Sequence, residues 1–472
     1  MSAIQELIDS SGRQISRHEL FVAMGVTTLA GSLGNVWFAM TFGMPLIMFM
    51  QAIGASGVVI GLVTTVRLAA ISAQIPAALA CENLDSRKPF WSRFALVHRA
   101  LWFIVAGLAL WCAPSRWWLP LAIIAVVGAS ELLGNASTAP WLSWMADLIP
   151  LPIAGRFWGI RQSVATAASL GGLALAGQIL DATRDPVSGQ AQPRGFAVVF
   201  AIAAALGMAD ILVHLFVCEP RPVPTPRGGA LRRRILAPFA NRDFRLLTFS
   251  LGAWNFGLSM TTAFALVYLK RDFGVTYSQL AALGIAAALG AIVTGYGFGE
   301  LLDRIGARRL SAILLSSTPL SLLPWLLVNH TTLSAGPFVF PQSVALLCLA
   351  GIAGGAISSA IVLCQYRLAS ELSAPQGRTM FMAVHWSFVG LLGALGPTAG
   401  GLVMDTFPSC LGRLAIPSGI PFSFYHVQLI LFTGLLWFVA LPLLLAIRPP
   451  IPSATAALHP ARLPENTAPP NA

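Results

Sequence analysis

Twelve apolar stretches run along this chain, and each is long enough to cross a bilayer, which takes about 20 residues. They fall at roughly 21–49, 56–80, 93–113, 117–146, 157–181, 196–218, 244–269, 277–301, 310–328, 341–368, 379–403 and 425–447. In lipid such a stretch has no water for its backbone, so it must bond internally as a helix or within a closed barrel. None of the stretches alternates apolar and polar residues as barrel strands do, so helices are expected. Composition agrees: charged residues are 10%, against roughly 25% in a soluble chain, and mean hydropathy is +0.75. The expected fold class is an all-α integral membrane protein with twelve transmembrane helices.

The chain also says nearly the same thing twice. Asn35, Met40 and Thr41 recur as Asn255, Met260 and Thr261, shifted by 220. Glu82-Asn83-Leu84-Asp85 recurs as Glu300-Leu301-Leu302-Asp303, shifted by 218, and Gly155-Arg156 as Gly377-Arg378, shifted by 222. Three spaced matches near one offset imply two six-helix pseudo-symmetric halves, a transporter architecture with the solute site between them near the midplane. The expected division is a short N-terminal segment (1–20), a first half (21–218), a basic linker (219–243), a second half (244–447) and a disordered tail (448–472).

Orientation follows from the basic residues. The N-terminus, the even-numbered loops with their flanks and the C-terminus hold 21 of the 29 Lys and Arg, and the odd-numbered loops hold six. Both termini are therefore expected in the cytoplasm, and the net charge of +11 is a topology signal rather than a sign of nucleic-acid binding. Within the linker, Leu231-Arg232-Arg233-Arg234-Ile235-Leu236 reads equally as a short helix lying on an anionic membrane surface or as a solvated loop. Residues 1–20 are polar and mixed in charge, unlike a cleavable signal. Only Lys88 and Lys270 are lysines, as in a GC-rich genome, so a multi-pass protein of a bacterial cytoplasmic membrane is expected. The six scattered cysteines contain no Cys-x-x-Cys, so neither a disulfide nor a metal site is expected.

One loop motif is specific. Gly299-Glu300-Leu301-Leu302-Asp303-Arg304-Ile305-Gly306-Ala307-Arg308-Arg309 resembles, at every fixed position, the cytoplasmic-loop signature of the major facilitator superfamily. The first-half copy departs from it, with Cys81 for the leading glycine and Asp85-Ser86-Arg87-Lys88-Pro89 at its end. The resemblance implies alternating access and a monomer. It also implies a cytoplasmic gate in which Asp303, beside Arg304 and between Gly299 and Gly306, meets Arg156 and the start of the fifth helix. The symmetric latch would join Asp85 to Arg378 at the start of the eleventh. The run Gly396-Pro397-Thr398-Ala399-Gly400-Gly401 is similar to the exchanger motif of that family but stands on the eleventh helix rather than the fifth, as a packing and bending element would.

Charge near the bilayer centre is costly, so each case suggests function. Arg67 and Glu131 both fall near the midplane and could meet. Either they are a buried structural pair, or Arg67 grips an anionic solute while Glu131 carries a proton. Asn35 and Asn255, on helices that line the central cavity in the family, could form a polar and aromatic pocket with Trp37, Trp254, Gln74 and Asn135, or bond to neighbouring helices. His385 is a second proton-coupling candidate, though a lone histidine is more often a packing residue. Arg99, Asp210 and His214 lie on helices peripheral in the family and read as a structural cluster.

No phosphate-cradling loop, nucleophile elbow, zinc spacing or nicotinamide fingerprint is present in the sequence, so an enzyme and a bound cofactor are not expected. The expected function is secondary active transport of a small solute by alternating access. An organic anion comes first, by virtue of Arg67, and proton coupling by symport or antiport is possible through Glu131. A sugar-like neutral solute, or a non-transporting assembly factor or sensor of the same fold, are the alternatives.

Overall fold

The computed structural model describes residues 16–81, 84–111, 116–149, 151–220, 236, 238–335, 338–372, 378–407 and 422–448. The basic stretch 231–235 and the tail from 449 lie outside the described residues, as do the side chains of Arg156 and Arg378.

The first half runs α1 (Arg17–Thr41), α2 (Met44–Ala52), α3 (Gly57–Ala69), α4 (Gln74–Cys81), α5 (Lys88–Trp111), α6 (Leu119–Leu148), α7 (Leu151–Ala182) and α8 (Pro193–His214). The second runs α9 (Arg242–Phe273), α10 (Tyr277–Ile305), α11 (Ala307–Ser317), α12 (Gln342–Glu371), α13 (Arg378–Thr406), α14 (Phe424–Leu435) and α15 (Leu441–Leu445). Local chemistry sets several boundaries. Ser16 with Glu19, and Thr276 with Gln279, form reciprocal capping boxes at the starts of α1 and α10. Gly43, at φ +70°, separates α1 from α2, with Pro45 in the first turn of the latter.

Among the described residues nine helices are long and apolar enough to cross a membrane. The other three expected stretches are helical too, and each differs for a visible reason. The second is divided by a 3-10 turn at Ala70–Ala73. The seventh, α9, is continuous but carries Ser250, Asn255, Ser259, Thr261 and Thr262 through its middle. The ninth leaves α-geometry after Ser317 and continues as a 3-10 segment, Thr318–Leu326, where Pro319 and Pro324 remove two amide donors. A two-stranded hairpin, β1 (Thr332–Ala335) paired antiparallel with β2 (Phe338–Pro341), precedes α12 and has no counterpart in the sequence expectation.

The loops after α4 and α10, which carry the two signature copies, mark one end of the molecule. At the opposite end one apolar cluster joins the halves, with Phe49, Phe196 and Phe200 from the first and Phe264, Tyr268 and Tyr277 from the second. Toward the signature end the halves have separate cores. One holds Trp91, Trp144 and Phe157, the other Leu247, Leu310 and Leu368.

The departure of the first signature copy from its pattern has a structural reason. Arg87 is buried and ties three elements together. It donates to Asp147 at the end of α6 (2.6 Å), to Ser143 (2.7 Å) and to the Pro220 carbonyl (3.3 Å). Glu219, also buried, accepts from the Arg87 amide (2.6 Å), the Ser86 hydroxyl (2.6 Å) and the Lys88 amide (3.3 Å), so it caps the start of α5. Ser86-Arg87-Lys88 thus anchors the root of the linker within its own half. Removing one partner of a buried ion pair strands the other, at a cost of about 3 kcal/mol. Arg87→Ala is therefore expected to lower the melting temperature in detergent markedly, while Arg93→Ala, on an exposed position of α5, leaves it unchanged.

Candidate functional site

A cavity of about 380 Å³ opens inside the first half, walled by α1, α5, α6, α7 and α8. Helix α1 contributes Asn35, Trp37 and Phe38, and α6 contributes Glu131, Asn135 and Trp141. Arg99 enters from α5, Arg161 from α7, and Asp210 and His214 from α8. Glycines make room for these side chains: a Cβ at Gly31 would strike the Arg161 guanidinium, and one at Gly34 would strike Asp210.

The charges are unevenly partnered. Arg99 pairs with Asp210 at 2.9 Å, and its guanidinium lies 3.5 Å from the centroid of the Trp37 ring. Arg161 sits between the rings of Trp141 (5.2 Å) and Trp158 (5.3 Å), and no described carboxylate forms an ion pair with it. Trp141 donates its indole N–H to His214 Nε2 at 3.0 Å, which assigns the ring proton to Nδ1. Three buried donors on lining residues have no hydrogen-bond partner: Trp37 Nε1, Arg99 Nε and Arg161 Nε. None of the unpartnered buried acceptors belongs to a lining residue. A bound anion would satisfy these three donors, beside the Glu131 carboxylate that also lines the cavity.

The expected site residues separate into three groups. Asn35, Trp37, Glu131 and Asn135 come together in this cavity, and Gln74 reaches it through a 3.0 Å bond to Asn135. Arg67 and Glu131 are close enough to attract each other but, among the described residues, form no direct ion pair. Arg67 instead lies over Phe42 (4.7 Å) and Phe38 (5.7 Å). It lines a separate cavity of about 160 Å³ whose far wall is Thr262, Ala263 and Leu266 of α9. The break at Gly43 turns Phe42 toward α3, and the guanidinium stacks there. Asn255 and Trp254 belong to the packing of the second half. Asn255 donates to the Val389 carbonyl (3.1 Å), tying α9 to α13, and Trp254 is buried in the apolar core.

His385 is fully buried between Thr248 Oγ1 (2.9 Å) and the Gln365 amide nitrogen (2.9 Å). Thr248 spends its own hydrogen on the Phe244 carbonyl, and the Gln365 amide donates to Nε2. Both ring nitrogens of a neutral imidazole are thus satisfied. At the signature end Asp303 is exposed and pairs with Arg367 (3.4 Å) of its own half, and Arg304 pairs with Glu300. Asp85 is exposed as well. Gly306, at φ +80°, makes the turn between α10 and α11, and Gly299 has open space around it.

The family model described as Major Facilitator Superfamily matches residues 20–345, more than half of the chain. The chain belongs to the major facilitator superfamily. This facilitator is a membrane transporter rather than an enzyme. No curated protein matches it in sequence. Among solved structures it is similar to the nucleoside transporter NupG, with TM-score 0.68 and 14% identity over 90% of this chain and 98% of that one. It also resembles an inward-facing, unoccupied bacterial homologue of the human lysosomal transporter Spinster, with TM-score 0.58 and 16% identity over 92% and 95% of the chains. A POT family transporter in complex with 5-aminolevulinic acid gives TM-score 0.58 and 14% identity over 90% and 95%. At such identities the likeness is one of fold.

Of the charged residues in this facilitator's cavity, Arg161 was not singled out from the sequence. Arg161 counts in the charge census among the basic flanks of the even-numbered loops, yet lies about three turns into α7 and faces the cavity. Its signal was legible: Trp158 precedes it by three residues, on the same helical face. Arg99, Asp210 and His214 read as a structural cluster; Arg99 and Asp210 do form a buried ion pair, and all three also line the cavity with Glu131 and Asn35.

Proposed function

We propose that this facilitator is a secondary active transporter of a small organic anion, bound in the first-half cavity with Arg161 as its principal counter-charge. The observation that carries the reading is the set of three unpartnered donors, on Trp37, Arg99 and Arg161, in one cavity. Asn35 and Asn135 supply neutral polar contacts, and Glu131, which forms no ion pair among the described residues, is placed to carry the coupled proton. The chain crosses a bacterial cytoplasmic membrane twelve times, with α1–α2, α3–α4, α11 with its 3-10 extension, and α14–α15 each making one interrupted crossing. Both termini lie in the cytoplasm, as the distribution of basic residues favours. The neighbours in fold handle solutes as unlike as nucleosides and 5-aminolevulinic acid, so they support small-solute transport without selecting the class.

The test is a thermal-shift screen of the purified protein against organic acids, sugars and nucleosides, on wild type, Arg161→Ala and Arg67→Ala. A ligand of the folded state raises the melting temperature by mass action. Organic acids are expected to stabilise wild type and Arg67→Ala. For Arg161→Ala the affinity falls roughly 30- to 150-fold, corresponding to a charge-assisted pair of about 2–3 kcal/mol. Stabilisation of all three proteins by neutral solutes alone would overturn the anion reading in favour of a sugar-like substrate. Loss of acid binding in Arg67→Ala but not Arg161→Ala would move the site to the smaller cavity.

A further inference from the structure

Two aspartates bridge the halves in the same way. Asp181, at the end of α7, accepts from the backbone amides of Tyr277 (2.9 Å) and Ser278 (2.8 Å), the first residues of α10. Asp405, at the end of α13, accepts from the amides of Gly57 (2.7 Å) and Val58 (2.8 Å), the first residues of α3. Each carboxylate reaches from one half to the first two amides of a helix in the other, which the side-chain caps Thr276 and Ser56 leave free and where the helix dipole favours a negative charge. The two contacts are related by the internal repeat. In both, the aspartate follows a glycine by four residues, in Gly177-Gln178-Ile179-Leu180-Asp181 and Gly401-Leu402-Val403-Met404-Asp405. Both glycines face the partner helix: a Cβ at Gly177 would meet Ser278 and Tyr277, and one at Gly401 would meet the Gly57 backbone.

We infer that Asp181 and Asp405 are a matched pair of clamps that hold the two halves shut at the end opposite the signature loops, and that both must release for that end to open. Three further observations point the same way. Every hydrogen bond that joins the halves among the described residues lies at this end, or about two turns in from it at Thr65–Thr398 (2.7 Å). Lys270 adds a bond to the Gly189 carbonyl (2.9 Å) beside the Asp181 clamp. At the signature end each ion pair among the described residues lies within one half. The shared apolar core sits at the clamped end as well. The clamps differ in strength. Asp181 is half-buried and Asp405 exposed, so solvent and salt screen the second more.

The experiment measures distances between spin labels in a cysteine-depleted background without added solute, so it does not depend on the substrate assignment. One pair, at Val187 and Thr331, reports the clamped end, and another, at Arg93 and Arg309, reports the signature end. Wild type is expected to give a short distance at the clamped end. Asp181→Ala should raise the open-to-closed ratio there about tenfold, Asp405→Ala by less, and the double variant by more than either, the change expected for loss of charge-assisted bonds from one state only. The signature-end distance shortens in step. Asp181→Asn and Asp405→Asn keep the side-chain shape and one acceptor, and give intermediate shifts in a protein that stays folded. Unchanged distances in the alanine and asparagine variants would overturn the inference. So would a lowered melting temperature with no redistribution between the two ends, the result for aspartates that only stabilise the fold.

Discussion

Replacing Arg99 with alanine is expected to be the most damaging single change in the first half. The guanidinium is held between the Asp210 carboxylate at 2.9 Å, His98 Nε2 at 3.5 Å and the Trp37 ring at 3.5 Å. Asp210 is only 7% exposed. Without Arg99 the Asp210 charge remains buried without its direct ion pair, facing only the more distant Arg161, and the lost Trp37 contact leaves a void against α1. Breaking such a pair costs about 3–5 kcal/mol. The outcome to look for is a melting temperature far below wild type and poor recovery from the membrane. The double change Arg99→Met with Asp210→Leu removes both charges and is expected to restore most of the loss, because a well-packed apolar pair often matches a buried ionic one. If the double variant is no more stable than Arg99→Ala, the cost lies in the Trp37 and His98 contacts instead.

The second large effect is expected at the crossing of α3 and α13. Glycines let the two backbones touch: a Cβ at Gly61 would collide with the Pro397 carbonyl, and one at Gly401 with the Gly57 carbonyl. Backbone cannot yield as the end of a side chain does, so Gly401→Leu forces the helices apart across the interface between the halves. The collision exists only while this end is closed. The variant is therefore expected to fold, with a melting temperature near wild type, but to favour the conformation open at this end by about 100-fold or more. Transport that must pass through both conformations would fall by a similar factor. Labels at Val187 and Thr331 should report a long distance in nearly all molecules. A short distance with normal transport would mean that α3 and α13 slide to accept the side chain. Gly25→Leu, at a glycine with open space around it, is the control and should change neither reading.

Much of the fold is legible in the sequence because the solvent dictates it. Lipid requires each apolar stretch to bond its own backbone, so length and hydropathy locate the helices. The interruptions were written locally as well, in Gly43-Met44-Pro45 and in Thr318-Pro319 with Pro324, but apolar length alone does not reveal them. The signature at 299–309 and the repeat near 220 residues named the family that the match over residues 20–345 shows. The aspartate clamps were also present as a repeated Gly-x-x-x-Asp, at an offset of 224 slightly different from the others, and so were easy to pass over.

What sequence determined by itself was kind: a chain of long apolar helices, and that Arg67, Arg99, Glu131 and Asp210 are charges within them that need partners. Which partner each found was decided only by the tertiary structure. Depth along a helix says nothing of rotation about its axis, and one residue turns the side chain by about 100°. Arg67 and Glu131 lie near enough to attract, yet the Arg67 guanidinium stacks on Phe42 beside the turn at Gly43 and no direct ion pair forms. Arg99 and Asp210 looked peripheral, yet glycines at 34 and 207 let α1, α5 and α8 close around them and bring both into the cavity with Arg161. Those rotations are fixed by close packing between helices distant in sequence, which no local pattern encodes.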